Sequence, residues 1–317
     1  MKMIVGLFAW LLAALPAWAQ QYPAKPVRIV VPFAPGGGSD FTARLIATKL
    51  SERLGQPFIV ENRPGAGGNL GAESVVKAPA DGYTLLLISA SYTVNPSVYK
   101  LTFDPVNDIT PIIQISGGPY VVAVHPSVPA STLAEFVGLA TKQPEKYAYG
   151  SSGNGSVMHV STQYLLDVAR IKVLHIPYKG TGPALQDTIG GQVQLILGAV
   201  PTTLPHVKAG RLRGLAVTTS KRIAAAPELP TVAELGFPGY EVINWHGLVG
   251  PKGLPADIVA RLNREVNEVI RSEEMRKGLA NDGLDPAGGS PEHFSSILRN
   301  ETARWAKVVQ QSGIKIE

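Results

Sequence analysis

The sequence predicts an α/β fold of two lobes, each a mixed sheet flanked by helices, with a cleft between them. Three observations predict it. A unit of strand, glycine loop and helix repeats near the amino end, and a second run of alternating strands and helices fills the middle of the chain. Two long helical stretches at the carboxyl end carry apolar residues at helical spacing and need a sheet to cover. At 317 residues the chain has also reached the size at which a single core tends to divide.

The first segment reads as an export leader. One basic residue, Lys2, precedes an apolar run from Met3 to Leu15, and Ala17-Trp18-Ala19 supplies the small-x-small pattern of a cleavage site before Gln20. A leader over 1–19 and a periplasmic, soluble product are therefore expected. The run is short for a permanent membrane span, and no later stretch reaches eighteen apolar residues without a charge or a breaker. Cysteine is absent, which excludes both a cysteine-linked lipid anchor and disulfides.

Val27 to Val31 is a β-branched strand that ends at Pro32-Phe33-Ala34-Pro35 and Gly36-Gly37-Gly38. A helix follows, with Ser39 or Asp40 as its cap. The unit repeats as strand Phe58 to Asn62, loop Gly65 to Asn69 and helix Leu70 to Lys77, and a third strand, Tyr83 to Ile88, leads to a polar set. Two strand-like runs between Ile112 and Val124 are broken by Gly117-Gly118-Pro119, a passage to the second lobe. Thr132 and Glu135 form a capping box. Beyond them come the loop Ser151 to Ser156, a helix Val157 to Val168, and strands at Lys172 to Ile176, Val193 to Leu197 and Leu212 to Val217. An extended stretch at Tyr240 to Leu248, a helix with Pro255 at its first position and a last helix from Pro291 to Gln311 return to the first lobe. The expected division is 20–120 with 228–317 as one lobe and 121–227 as the other, so the chain crosses between them twice.

The net charge of +5 is scattered, which argues against a nucleic-acid partner. No phosphate-loop, dinucleotide, G-x-S-x-G or H-E-x-x-H pattern occurs, so no cofactor, metal or catalytic residue is expected. Glycine loops at the starts of helices remain as candidate sites, because they expose backbone N–H groups at a positive dipole end that suits a carboxylate or phosphate. Asp40 suits either a cap or a ligand ammonium. His159 is a pocket candidate or a partly buried helix histidine. Thr202 and Thr203 stand where a second-lobe loop would offer hydroxyls, and Asn244-Trp245-His246-Gly247 suits either the cleft lining or the hinge packing.

The motifs that specify a likeness are Tyr22-Pro23-x-Lys25-Pro26, Ile29-Val30-Val31-Pro32-Phe33-x-Pro35-Gly36-Gly37 with Asp40 and Arg44, and Val60 through Asn69. They continue with Asp81-Gly82-Tyr83-Thr84, Pro177-Tyr178-Lys179-Gly180, Leu229-Pro230-Thr231 and Trp245-x-Gly247. On these the chain resembles the extracytoplasmic solute receptors of the tripartite tricarboxylate transporters, the Bug-type binding proteins. The resemblance implies a two-lobed periplasmic binding protein fold of the type II kind. It also implies a monomer that closes on a small carboxylate-bearing solute and docks transiently on membrane transporter subunits. Carried onto this chain, it implies ligand contacts at Ala34, Pro35, Gly36, Gly37, Gly38, Ser39 and Asp40, at Ser89, Ser91, Tyr92 and Thr93, and at Ser151, Ser152, Gly153, Asn154, Gly155, Ser156 and His159. Ala199 and Thr202, in the loop after Leu197, would contribute selectivity. That loop, Leu197-Gly198-Ala199-Val200-Pro201, lacks the acidic or aromatic residue many relatives carry there. The alternatives are a periplasmic sensor for a two-component partner and a serine hydrolase.

Overall fold

The computed structural model describes residues 22–281 and 283–312. The expected leader lies outside the described residues. In chain order the elements are β1 (Val27–Val31), α1 (Gly38–Leu54), β2 (Phe58–Asn62), α2 (Asn69–Val76), β3 (Thr84–Ser89), α3 (Ser91–Val94), β4 (Ile109–Val124), α4 (Leu133–Lys142), β5 (Ala148–Ser151) and α5 (Val157–Ala169). They continue with β6 (Leu174–Pro177), α6 (Thr181–Ile189), β7 (Leu195–Ala199), α7 (Val200–Lys208), β8 (Arg213–Val217), β9 (Ile243–Pro251), α8 (Ala256–Arg271), α9 (Glu273–Asn281), β10 (Asp285–Pro286) and α10 (Pro291–Ser312).

The first sheet runs β2-β1-β3-β9-β4, with β10 beside β4; the second runs β4-β7-β5-β6, with β8 also on β4. The strand, loop, helix units make β1, β2 and β3 parallel, and likewise β5, β6 and β7. The pairs of β9 with β3 and β4, and of β4 with β7 and β8, are antiparallel. Both lobes are therefore mixed sheets flanked by helices.

Alternation along the strands explains the layering. Val27, Ile29 and Val31 of β1 and Leu85 and Leu87 of β3 pack with Ile46 and Leu50 of α1 and Leu262 and Val266 of α8. Val30, Leu86 and Ile88 face the other way, into the core that contains Ala72 and Val75 of α2 and Phe294, Leu298 and Trp305 of α10. That second core is continuous with the interior of the other lobe.

Two sequence expectations are corrected. Gly117-Gly118-Pro119 does not break the chain into two strands: β4 runs unbroken for 16 residues and belongs to both sheets. Pro119 is tolerated because pairing with β10 ends at Gly117 and pairing with β7 begins at Tyr120, which leaves β9 as its strand neighbour. Pro255 is the cap of α8, not its first helical residue. Helix α9 was not foreseen.

The second crossing between the sheets is laced to the first by Thr218. Its N–H donates to the Tyr120 carbonyl (3.1 Å) and its hydroxyl to the Val242 carbonyl (2.7 Å), while it accepts from the N–H groups of Tyr120 (2.8 Å) and Val242 (2.9 Å).

Candidate functional site

Where the two sheets meet, the carboxyl ends of β1 and β3 face the loops of the second lobe across a narrow cavity of about 20 Å³. The first lobe lines it with Phe33, Ala34, Gly37, Gly38, Ser39 and Asp40 from the loop into α1, and with Ser89 and Ser91 around the end of β3. The second lobe adds Ser152, Thr181 and Ala199, and the two crossing strands add Tyr120 and Asn244.

The lobes touch directly. The Ala34 N–H donates to the Lys179 carbonyl at 2.8 Å, the Tyr99 hydroxyl to the Asn154 carbonyl at 2.6 Å, and the Val157 N–H to Ser91 Oγ at 3.0 Å. Gly182 has no room for a side chain, since a Cβ there would lie 2.2 Å from the Pro35 carbonyl oxygen of the opposite lobe. This is a closed cleft.

The first glycine loop is held from behind by Asp40. Its Oδ2 accepts from the Gly36 N–H (3.1 Å) and Arg44 Nε (3.0 Å), and its Oδ1 accepts from Asn62 Nδ2 (3.0 Å), which also reaches the Phe33 carbonyl. Burial works to raise this carboxyl, but the hydrogen bonds from Arg44, Asn62 and Gly36 outweigh it and hold the group below the ordinary carboxylate value. Both oxygens are engaged, so a ligand ammonium finds no free carboxylate here. The helix cap is Gly37 and not Ser39 or Asp40. Gly36, at φ +83°, turns its N–H back onto the carboxylate.

The Ser151–Ser156 loop is held by its own side chains. Ser156 Oγ caps α5 by accepting the His159 N–H at 3.2 Å, and His159 Nδ1 accepts the Gly155 N–H at 3.1 Å. The His159 ring stacks on His175 at 3.9 Å, with Tyr149 4.8 Å from His175 and 6.4 Å from His159. Ser151 Oγ stands 2.6 Å from His175 Nε2. Burial pushes His159 down to about 4; burial and then the neighbouring imidazole push His175 down to about 3. Both rings are thus neutral at neutral pH. Since Ser156 meets the backbone and not the ring of His159, no serine–histidine pair is assembled there.

Of the residues named from sequence, Ala34, Gly37, Gly38, Ser39, Asp40, Ser89, Ser91, Ser152 and Ala199 line the cavity. Gly153 and Asn154 line the adjoining mouth, opposite Gly65 to Gly68 and beside Lys179. Pro35 is at the exposed tip of the loop, and Gly36 and Thr202 face an outer groove along α1. Ser151, Gly155, Ser156 and His159 stand behind the wall. Thr93 Oγ1 donates to the Ala90 carbonyl, and Tyr92 packs on Phe103, away from the cavity. Phe33, Tyr120 and Thr181 were not singled out, and Asn244 falls on the lining side of its two alternatives. Thr181 follows the Pro177-Tyr178-Lys179-Gly180 motif directly, which was the available signal; Tyr120 sits inside an apolar strand and gave none.

Among the described residues of the lining Asp40 is the one carboxylate, no Lys, Arg or His joins it, and it is paired with Arg44. Two helices nonetheless begin at the wall, α1 at Gly38 and α6 at Thr181, and α7 begins one residue beyond Ala199. The positive ends of their dipoles come from both lobes.

The chain matches the model of the tripartite tricarboxylate transporter family receptor over residues 42–314. It is 35% identical to protein BugT of Bordetella pertussis, over 99% of this chain and 98% of that one. Among solved structures it is similar to an R. palustris protein with adipate (39% identity, TM-score 0.90, 93% of this chain and 99% of that one). It is also similar to MatC from Rhodopseudomonas palustris with bound malate (32% identity, TM-score 0.85, 91% and 100%). With that fold and that cleft, the chain belongs to the tripartite tricarboxylate transporter receptors, which are periplasmic solute-binding proteins and not enzymes.

Proposed function

We propose that this receptor captures a small carboxylate-bearing solute in the closed cavity and delivers it, as a monomer, to the membrane subunits of a tripartite transporter. The observation that carries the reading is the convergence of α1 and α6, one from each lobe, on a cavity whose single carboxylate is already paired. Backbone N–H groups at those helix starts, with the hydroxyls of Ser39, Ser89, Ser152 and Thr181, provide donors without a fixed cation. The Gly37 to Ser39 turn and Ser152 take one carboxylate between them, and Ala199, close to Gly38, limits the length or bulk of what lies beyond. The relatives seen with adipate and with malate support a dicarboxylate.

The test is thermal stabilisation by malate, adipate, citrate and benzoate, with the uncharged diamide of adipic acid as the control. A ligand that binds only the folded form raises the melting temperature in proportion to the logarithm of its concentration over Kd. At least one acid is expected to stabilise the chain while the diamide does not. Stabilisation by none of the acids, or equally by the diamide, would overturn the reading.

A further inference from the structure

One residue of the cavity wall has a polar head that the protein uses only in part. Asn244, on β9, is 7% exposed, and its Oδ1 is buried with no hydrogen-bond partner among the described residues. Its Nδ2 stands 3.4 Å from Nε2 of His246, two residues along the same strand face. His246 is fully buried, and its other ring nitrogen, Nδ1, lies 3.2 Å from Thr42 Oγ1. Thr42 belongs to α1, whose first turn forms the opposite wall of the cavity.

Several helical threonines turn their hydroxyls back onto the carbonyl four residues earlier, as Thr48 does to Arg44, Thr162 to Met158 and Thr188 to Ala184. Thr42 faces the imidazole, so its proton has His246 Nδ1 as an acceptor. A neutral imidazole carries one N–H; with Nδ1 accepting, that proton is on Nε2 and needs an acceptor in turn. Asn244 supplies it when Oδ1 faces the ring, a half-turn of the amide that moves no heavy-atom position. The half-turn removes the unpartnered Oδ1 and sets the N–H groups of Nδ2 on the side of the cavity-lining amide where no protein donor meets it.

We propose that Asn244 is a specificity-determining donor to a carboxylate of the bound solute, held donor-outward by a chain from the Thr42 hydroxyl to His246 Nδ1 and from His246 Nε2–H to Asn244 Oδ1. His246 and Thr42 are positioning residues. The inference rests on the cleft reading above and adds to it the residue that selects an oxygen acceptor.

Two measurements on the full chain test it. Nitrogen-15 NMR of the histidine rings, without ligand, is expected to show His246 protonated at Nε2; Thr42→Ser keeps that tautomer and Thr42→Val loses it. A wild-type ring protonated at Nδ1 overturns the proposal whatever the solute. Calorimetry with adipate as the probe is expected to show about a tenfold loss of affinity for Asn244→Ala and about a hundredfold loss for Asn244→Asp. The first is the range for a hydrogen bond to a charged group, and the second adds repulsion of the carboxylate. Thr42→Val is expected to lose a few-fold and Thr42→Ser to match wild type. Unchanged adipate affinity in Asn244→Asp overturns this inference and leaves the cleft reading standing. If wild type binds none of the acids, the cleft reading fails, and the His246 tautomer alone decides for or against the chain of bonds.

Discussion

The first glycine loop and the Ser151–Ser156 loop face each other from opposite lobes, and they are fastened in different ways. The first is tied by a charge: Asp40 gathers the Gly36 N–H, Arg44 and Asn62 behind the turn. The second is tied by neutral groups, with His159 and Ser156 accepting backbone N–H groups and His175 stacked behind. In both cases the side chains fix the loop from the rear and leave its backbone toward the cavity. A charged anchor is compatible with an anion site when its charge is consumed, and histidines serve equally while they stay neutral.

Asp40→Ala tests the charged anchor directly. It leaves the exposed Gly36 N–H and Arg44 to water and Asn62 with the Phe33 carbonyl alone, so the loss is about 1–3 kcal/mol, the desolvation of what stays buried. Urea denaturation checks this, and a loss below about 1 kcal/mol would mean that the carboxylate does not hold the loop.

Acidification separates the two anchors, because they titrate in different windows. His159, at about 4, and His175, at about 3, lie below the ordinary histidine value of 6.5, and burial also pushes His246 down to about 4. The unfolded chain takes up protons that these rings refuse, so their contribution is complete above 6.5 and is lost as the pH falls toward 4. Asp40 is held below its ordinary 3.8, and its contribution is lost only below that value. Between pH 7 and pH 5 stability is therefore expected to drop by on the order of 5 kcal/mol, chiefly from these three rings. Melting curves of wild type and His175→Gln across that range check the assignment; equal slopes would refute it.

The anchors also show how far the sequence reaches. Strands β1 and β2 were legible to the residue, because β-branched runs end at proline and glycine. The capping box of Thr132 and Glu135 was legible from its spacing alone. The position of each glycine loop at the end of a strand was legible too. Which hydroxyls turn toward a guest was not, since Ser152 faces the cavity while Ser151 and Ser156 serve their own loop, and all three read alike in the chain. The His159–His175 stack joins separate strand and helix units, and Asn244 reaches the wall only because β9 inserts between β3 and β4. Such contacts depend on strand order, which local spacing does not encode.

A smaller effect separates the anchors in another way. Ser156→Ala removes a helix cap but leaves the histidine stack in place, and is expected to cost about 1 kcal/mol. Asp40→Ala should exceed it in the same urea series. Equal costs would mean that the charge adds nothing over an ordinary cap.

The smallest expected change in stability belongs to the bond that joins the two lobes. Tyr99→Phe deletes the hydroxyl that donates to the Asn154 carbonyl across the mouth, at the edge of the second loop and away from either anchor. The ring keeps its packing, and the carbonyl it leaves is close enough to the mouth to take water. Unfolding free energy should therefore change by less than about 1 kcal/mol. Closure loses one of its direct bonds, with Ala34 to Lys179 and Val157 to Ser91 remaining, so solute release should quicken several-fold while association is nearly unchanged. Stopped-flow release of a stabilising acid measures this. A variant with unaltered release would show that the anchored loops set the lifetime of the closed state without help from the mouth.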